Sequence, residues 1–179
     1  MKWKQLSMAG ATAAVLFFTA CNKNNDDNNE SKAVNAQDNT FILKASQSNR
    51  AEIEMGNLAL AKGMDGGVKS FAQMMVMDHT KAQADLQNVV NSVNTSTNIN
   101  DSLDTDQKAM RALLQSLSGA AFDSAYVDGQ VMGHQKTLAA IDAEIAGGQN
   151  AQVKGYATSN RPIVQMHKDM ADSLNALMQ

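Results

Sequence analysis

An all-α fold, an antiparallel four-helix bundle with one additional short helix, is what this 179-residue sequence predicts. Three observations carry that expectation. Beyond residue 38 the chain has a single proline, Pro162. No alternation of apolar and polar residues bounded by turn residues persists for five positions. Apolar residues instead recur at helical spacing through four stretches of about 25 residues or more, each long enough for a rod of roughly 35–40 Å.

The first stretch runs from about Asp38 to Lys62, with Asp38 or Asn39 as the capping residue and Gly63 as the stop. The second follows Asp65-Gly66-Gly67 and aligns Val68, Phe71, Ala72, Met75, His79, Ala82, Leu86 and Val89, before a polar loop from Asn91 to Asn98. A shorter helix fits Asp101 to Ser118, with Met110, Leu113, Leu114 and Leu117 on its apolar side, and Gly119 marks a break. The fourth stretch carries Phe122, Tyr126, Val131, His134, Leu138, Ile141 and Ile145 and closes at Gly147-Gly148. The fifth begins near Asn150 and places Tyr156, Ile163, His167, Met170, Leu174 and Leu177 in register. Pro162 removes one backbone hydrogen bond from its interior, which predicts a kink or a restart.

The chain before this domain reads as address and tether. Met1 to Cys21 begins with Lys2 and Lys4, continues through an uncharged apolar run from Leu6 to Ala20, and ends in small residues before Cys21, the pattern of a secretory signal. That run, about 15 residues, is short of the ~20 needed to cross a bilayer. Phe18-Thr19-Ala20-Cys21 resembles the bacterial lipobox, which implies that Cys21 becomes the lipidated first residue of the mature chain; Phe18 stands where that motif usually has Leu. The alternative is an ordinary signal peptide with an unmodified thiol. Residues 1–20 are thus expected to be removed and residues 21–37 to form a disordered tether. That tether is rich in Asn, has Asp26, Asp27 and Glu30, and offers almost nothing apolar to bury. Residues 38–179 are the expected helical domain. Losing the signal removes two lysines and no acid, taking the formal charge from -3 to -5, so attachment to an anionic membrane would need the lipid at Cys21.

Composition excludes several classes of function. The negative charge argues against a nucleic-acid partner, and a lone cysteine supports neither a disulfide framework nor a thiolate zinc site. One Trp, two Tyr and five Phe leave the core to aliphatic side chains, Ala and Met. No GxGxxG or P-loop string occurs. A di-iron carboxylate centre needs Glu three residues before His, and those positions hold Val76, Val131 and Val164.

Helical arithmetic places the chain's three His on inward faces of three different long helices. His79 shares a stripe with Ala72, Met75, Ala82 and Leu86. His134 shares one with Val127, Val131, Leu138 and Ile141, and His167 one with Ile163, Met170 and Leu174. Glu52 falls on the side of Phe41, Ala45, Met55 and Ala59, whereas Glu54 is rotated toward solvent. Imidazole and carboxylate projected into a bundle core suit a transition metal, Fe, Mn, Zn or Cu, with Glu52, His79, His134 and His167 as ligands. A structural hydrogen-bonded network is the competing account of the same four residues. Asp78 is positioned to orient a His from a neighbouring helix. Asp123 fits a helix-start carboxylate. Gly129 and Gly133 have GxxxG spacing, which suits close helix packing or leaves room for a ligand, close packing being the preferred reading. Met75, Met77, Met132, Met166 and Met170 lie near the His in sequence, a thioether and imidazole vocabulary that also suits Cu(I).

The strings from Ala51 to Ala59 (AEIEMGNLA), from Val68 to Thr80 (VKSFAQMMVMDHT), Phe122-Asp123-Ser124-Ala125-Tyr126 with His134 beyond, and from Arg161 to His167 (RPIVQMH) together resemble the bacterial envelope family known as domain of unknown function 4142. The likeness spans about Asp38 to Ala176. It implies a ferritin-like bundle and matches Glu52, Asp78, His79, Asp123, Tyr126, His134 and His167 to the family's motif positions, Asp123 and Tyr126 joining Asp78 around the ligand set. It implies no reaction. The functional expectation is an exported, lipid-anchored protein of the cell envelope, facing periplasm or cell surface, whose His/Glu cluster binds one transition metal. The alternative is a non-catalytic structural or stress-related interaction protein of the envelope without a metal; a redox enzyme would further need an open coordination position.

Overall fold

A computed structural model describes residues 33–99 and 102–178. The expected signal, the lipidation position Cys21 and most of the expected tether lie outside the described residues. Five helices follow in order: α1 (Ala36–Lys62), α2 (Gly66–Ser92), α3 (Thr105–Ser116), α4 (Gly119–Gly147) and α5 (Ala151–Met178). No helix among the described residues is long and apolar enough to cross a membrane.

α1 starts at Ala36, inside the stretch expected as tether. Its cap is Asn35, rather than Asp38 or Asn39. Asn35 accepts from the Asp38 backbone N–H while the Asp38 side chain accepts from the Asn35 N–H, a reciprocal capping box. The helix ends at Gly63, whose φ of -59° is open to any residue. Glycine is required there by space, since a Cβ would meet Ala59 O at 2.6 Å. Asp65 caps α2 by accepting from Val68 N, and α3 is confined to 12 residues by the capping box of Asp104 and Gln107. α5 runs unbroken through Pro162. The carbonyl that Pro162 leaves unpaired belongs to Thr158, which is exposed and open to water, so the helix neither stops nor restarts.

α1 and α2 form one hairpin and α4 and α5 another; α1 packs against α2 and α4, and α5 against α4 and α2. Cross-helix contacts fix the directions. Asp38 meets the α4–α5 turn at Gln149 and Asn150, and Met64 at the other end of α1 meets Asp123 near the start of α4, so α1 and α4 are antiparallel. α2 therefore ends at the opposite end of the bundle from where α4 begins. Residues 93–118 make the return journey: Thr95 and Thr97 bond Asn39 near the start of α1, and Lys62 at its end bonds the Leu114 and Gln115 carbonyls. α3 travels within this crossover along α1 and α4, a known variant of four-helix topology. Arg111 of α3 pairs with Glu54, which the periodicity sends to solvent but which α3 half covers.

The core is divided. One apolar cluster gathers Met55, Ala59, Phe71, Met75, Leu114, Phe122 and Tyr126 with their neighbours, and a second gathers Phe41, Ile42, Leu86, Ile141, Val153 and Tyr156. Between them along α1, α2, α4 and α5 lie buried Asn49, Glu52, His79, Gln130, His134 and His167. On α5 the inward stripe is Val164, His167 and Ala171, whereas Ile163 and Met170, assigned to it from spacing, are 41% and 39% exposed. Both lie within about 60° of His167 on its other flank, so an error of a few tens of degrees in the stripe's centre reverses their environment.

At the end of the bundle where α4 meets α5, Glu144 lies buried beside Asp38. Burial, and then the hydrogen bond and charge of Asp38, raise the Glu144 carboxyl from 4.5 to about 7. A carboxyl whose pKa is higher folded than unfolded contributes stability that is complete below about 4.5 and is lost as pH rises through about 7. The expected outcome is that urea midpoints measured at pH 5 and pH 8 fall further for the native chain than for Glu144→Gln, which keeps a neutral hydrogen-bonding side chain at both. Parallel pH profiles for the two proteins would contradict it.

Candidate metal centre

Three long helices deliver one His each to the polar layer: His79 from α2, His134 from α4 and His167 from α5, all at least 96% buried. Their ring centroids form a nearly equilateral triangle with sides of 5.9, 5.5 and 5.4 Å. One donor nitrogen from each ring lies within 4.8 Å of one from each of the others. A triangle of that edge puts every nitrogen about 2.8 Å from the centre, against ~2.0–2.1 Å for a zinc–imidazole bond. The rings need move inward by less than an ångström.

Each His uses one nitrogen in a hydrogen bond that sets its tautomer. His134 Nδ1 donates to the Gln130 backbone carbonyl at 2.8 Å, and His167 Nε2 donates to the Asp78 carboxylate at 2.9 Å. His79 Nδ1 lies 3.0 Å from Asn49 Oδ1. The Asn49 amide is oriented because its Nδ2 donates to the Tyr156 hydroxyl and to Gln83 Oε1, so its oxygen faces the imidazole and accepts. Tyr156 in turn donates to the Ala82 carbonyl, and burial pushes its hydroxyl up to about 12, holding it as a neutral donor. With these protons placed, the opposite nitrogens are His79 Nε2, His134 Nε2 and His167 Nδ1. All three are buried without a hydrogen-bond partner and carry free lone pairs. Imidazole nitrogens fixed by outer oxygen acceptors are how proteins orient metal ligands.

The electrostatics favour neutral imidazole at His79 and His167. Burial, then the neighbouring His134 and His167, hold His79 well below its ordinary range. Burial also lowers His167, although its bond to Asp78 pulls the other way. A recess of about 220 Å³ reaches the site between α1, α2, α4 and α5, bordered by Asn49, Asp78, His79, Tyr156 and His167. Two of the three imidazoles, His79 and His167, thus border a recess, while the unpartnered nitrogens themselves are buried.

The other residues singled out from sequence have different surroundings. Glu52 is buried but does not join the three converging donors. It bonds to Gln130, and its carboxyl is raised by burial, against the lowering effects of His134 and Gln130. The position on α1 level with His79 is taken by Asn49, one turn earlier. Asp123 is far from the rings in its bonding: its carboxylate accepts from Met64 N and Asp65 N, bracing the α1–α2 turn, instead of serving as a helix-start charge. Tyr126 packs between Phe71 and Phe122, and burial followed by the nearby Glu52 raises its hydroxyl well above the usual value. Gly129 faces Met110 and Gly133 faces Glu52 Oε1, so this pair admits side chains and does not bring two helix backbones together. Of the five Met near the His in sequence, Met77, Met132, Met166 and Met170 are exposed and only Met75 is buried, which removes most of the thioether argument for Cu(I). Asn49 and the Gln130 carbonyl were not anticipated. Asn49 was findable, because it occupies the same α1 stripe as Ala45 and Glu52; a backbone carbonyl leaves no trace in side-chain identity.

Residues 23–174 match a family described as a domain of unknown function (DUF4142). Among solved structures, the fold is similar to the crystal structure of a DUF305 fragment from Deinococcus radiodurans, with 12% identity, a TM-score of 0.67, and coverage of 82% of this chain and 97% of that one. At that identity the likeness concerns the fold. No curated protein matches the sequence.

Proposed function

This chain belongs to the DUF4142 family, whose description carries no activity, and from the site itself we propose that it binds one transition-metal ion through His79, His134 and His167. The observation that carries this is the convergence of three buried imidazoles, each with one nitrogen committed to an outer acceptor and the other unpartnered. Neutral imidazole is a ligand for Zn, Cu, Fe and Ni and a poor one for Mn, which favours oxygen. Three His with an open position form a known catalytic zinc arrangement, and Zn is the first choice, followed by Cu and Fe. A bound ion would supply Lewis acidity at the end of the 220 Å³ recess. Asn49, Asp78 and the Gln130 carbonyl would hold the ligands in place. Glu52 would stand apart from the ligands, bonded to Gln130.

The same proposal sets the protein in the cell envelope, exported by residues 1–20 and held to a membrane by lipid on Cys21. Support comes from the sequence of that segment alone.

The test of metal binding uses purified, untagged protein exposed in turn to Fe, Mn, Cu and Zn, desalted, and measured by plasma mass spectrometry. About one metal per chain is expected, and its loss in His79→Ala/His167→Ala. Equal metal content in the native and doubly substituted proteins would sink the proposal, as would retention of none of the four metals.

A further inference from the structure

A groove of about 810 Å³ lies between α1, α3 and α4, within the size range of small-molecule sites. Small residues hollow it out, Ala45 and Ala51 on α1 and Gly129, Gly133 and Ala140 on α4, while Met110 and Leu113 of α3 form part of its wall. Its lining runs from Phe41 to Met55 on α1 and from Gly129 to Ala143 on α4, a length of roughly 21 Å on each helix. Spread over that length, the volume gives a section of roughly 40 Å², half or less of that of an α-helix about 10–12 Å across. The shape suits one extended chain and is too narrow for a partner helix.

Most polar groups along the groove are already matched. Ser48 donates to Thr137 Oγ1 at 2.9 Å while Thr137 donates to the Gly133 carbonyl at 3.0 Å. Lys136 donates to Asp106 at 2.9 Å and has Asp104 nearby as well. Lys44 and Gln47 differ: both line the groove, and neither has a hydrogen-bond or ion-pair partner among the described residues. Three residues apart, they share a face of α1 and offer an ammonium and an amide N–H together. The antiparallel register of α1 and α4 sets Lys44 near Ala143, roughly 10 Å along the axis from Lys136 and its two carboxylates. Unmatched donors, one of them cationic, thus stand at one end of a long apolar channel, where an anionic head group finds charge-assisted hydrogen bonds. Along the channel, Leu113 and Met132 are 46% and 52% exposed and would be covered by hydrocarbon. We propose that this groove binds a single-chain anionic amphiphile of the fatty-acid class, its carboxylate on Lys44 and Gln47 and its hydrocarbon chain running toward Met110 and Leu113.

Isothermal titration of the purified protein with decanoate, decanol and decylamine, equal in chain length and different in head group, tests this. Decanoate should bind at one per chain and at least tenfold more tightly than either of the others. From octanoate through decanoate to dodecanoate, affinity should rise about fourfold per added methylene as the chain extends along the groove. Lys44→Glu, at an exposed position, should erase the preference for carboxylate over alcohol. Leu113→Asp, also at an exposed position, should weaken decanoate at least tenfold. Decanol or decylamine matching decanoate overturns the proposal, as do an affinity that is flat across the three carboxylates and indifference of decanoate binding to both substitutions. Absence of heat from every ligand also overturns it, and is the result expected if a second copy of the chain or its own leading residues fill the groove.

Discussion

Saturating Zn²⁺ should raise the thermal unfolding midpoint of the purified protein by roughly 8–16 °C, and His134→Ala should abolish the rise. A ligand that binds only the folded state stabilises it by RT ln(1 + [L]/Kd), about 4 kcal/mol at a free concentration 1,000-fold above Kd. For a chain of this length each kcal/mol is worth about 2–4 °C. Selectivity for the native state follows from the ligands' origins on α2, α4 and α5, which only the assembled bundle brings together. Removing the oxygen acceptor in Asn49→Ala should keep the three imidazoles but release His79, weakening metal affinity about 10–100-fold. Protons compete for the same lone pairs. Because His79 and His167 are held below their ordinary range, the metal-dependent rise should survive at pH 6, where an unperturbed imidazole is mostly protonated, and fade only at lower pH. A rise of equal size in His134→Ala would end the argument, since the site would then not be the one binding the ion.

Asp38→Ala should destabilise the fold by about 4 kcal/mol, the largest loss expected from a single side chain outside the apolar clusters. Asp38 is fully buried and its carboxylate accepts from three backbone donors, Asn35 N, Gln149 N and Asn150 N. It thereby fastens the start of α1 to the turn between α4 and α5. Alanine removes the acceptor that these donors share, and a buried donor left unsatisfied carries a penalty of about 1–3 kcal/mol. It also removes the group against which Glu144 is protonated. Asp104 offers the comparison, because it forms a capping box of the same kind in an exposed place; Asp104→Ala should cost only about 1 kcal/mol. Chemical unfolding of the three proteins at one pH decides it, and equal costs for the two substitutions would show that Asp38 acts merely as a helix cap.

Periodicity was sufficient for what depends on one helix at a time. His79 and His134 could be set inward because Met75, Leu86, Val127 and Ile141 surround them at helical spacing, and all are buried. It was insufficient where two helices had to be set level with each other. Glu52 and Asn49 are three residues apart on one stripe, and only the sliding position of α1 against α2 decides which of them meets His79. That position is set by the short turn through Gly63 and the grip of Asp123 on it, contacts between residues about 60 apart. Pro162 misled for a related reason: its effect on α5 depends on whether Thr158 faces water or protein, and it faces water. The distance covered by residues 93–118 was equally hidden, since a polar stretch and a short helix look the same whether they close a tight corner or run the length of the bundle.

That crossover links two helical hairpins covalently, and each hairpin holds part of the candidate metal centre. Asn49, Asp78 and His79 lie on α1–α2; Gln130, His134 and His167 lie on α4–α5. A chain severed within residues 93–104 would become two peptides, neither able to assemble the trigonal set alone. Each would find its complement through the facing halves of both apolar clusters, and an ion shared by the imidazoles would act as a detachable rivet between them. If the three imidazoles hold a metal, the reunion of two such halves would report on its presence.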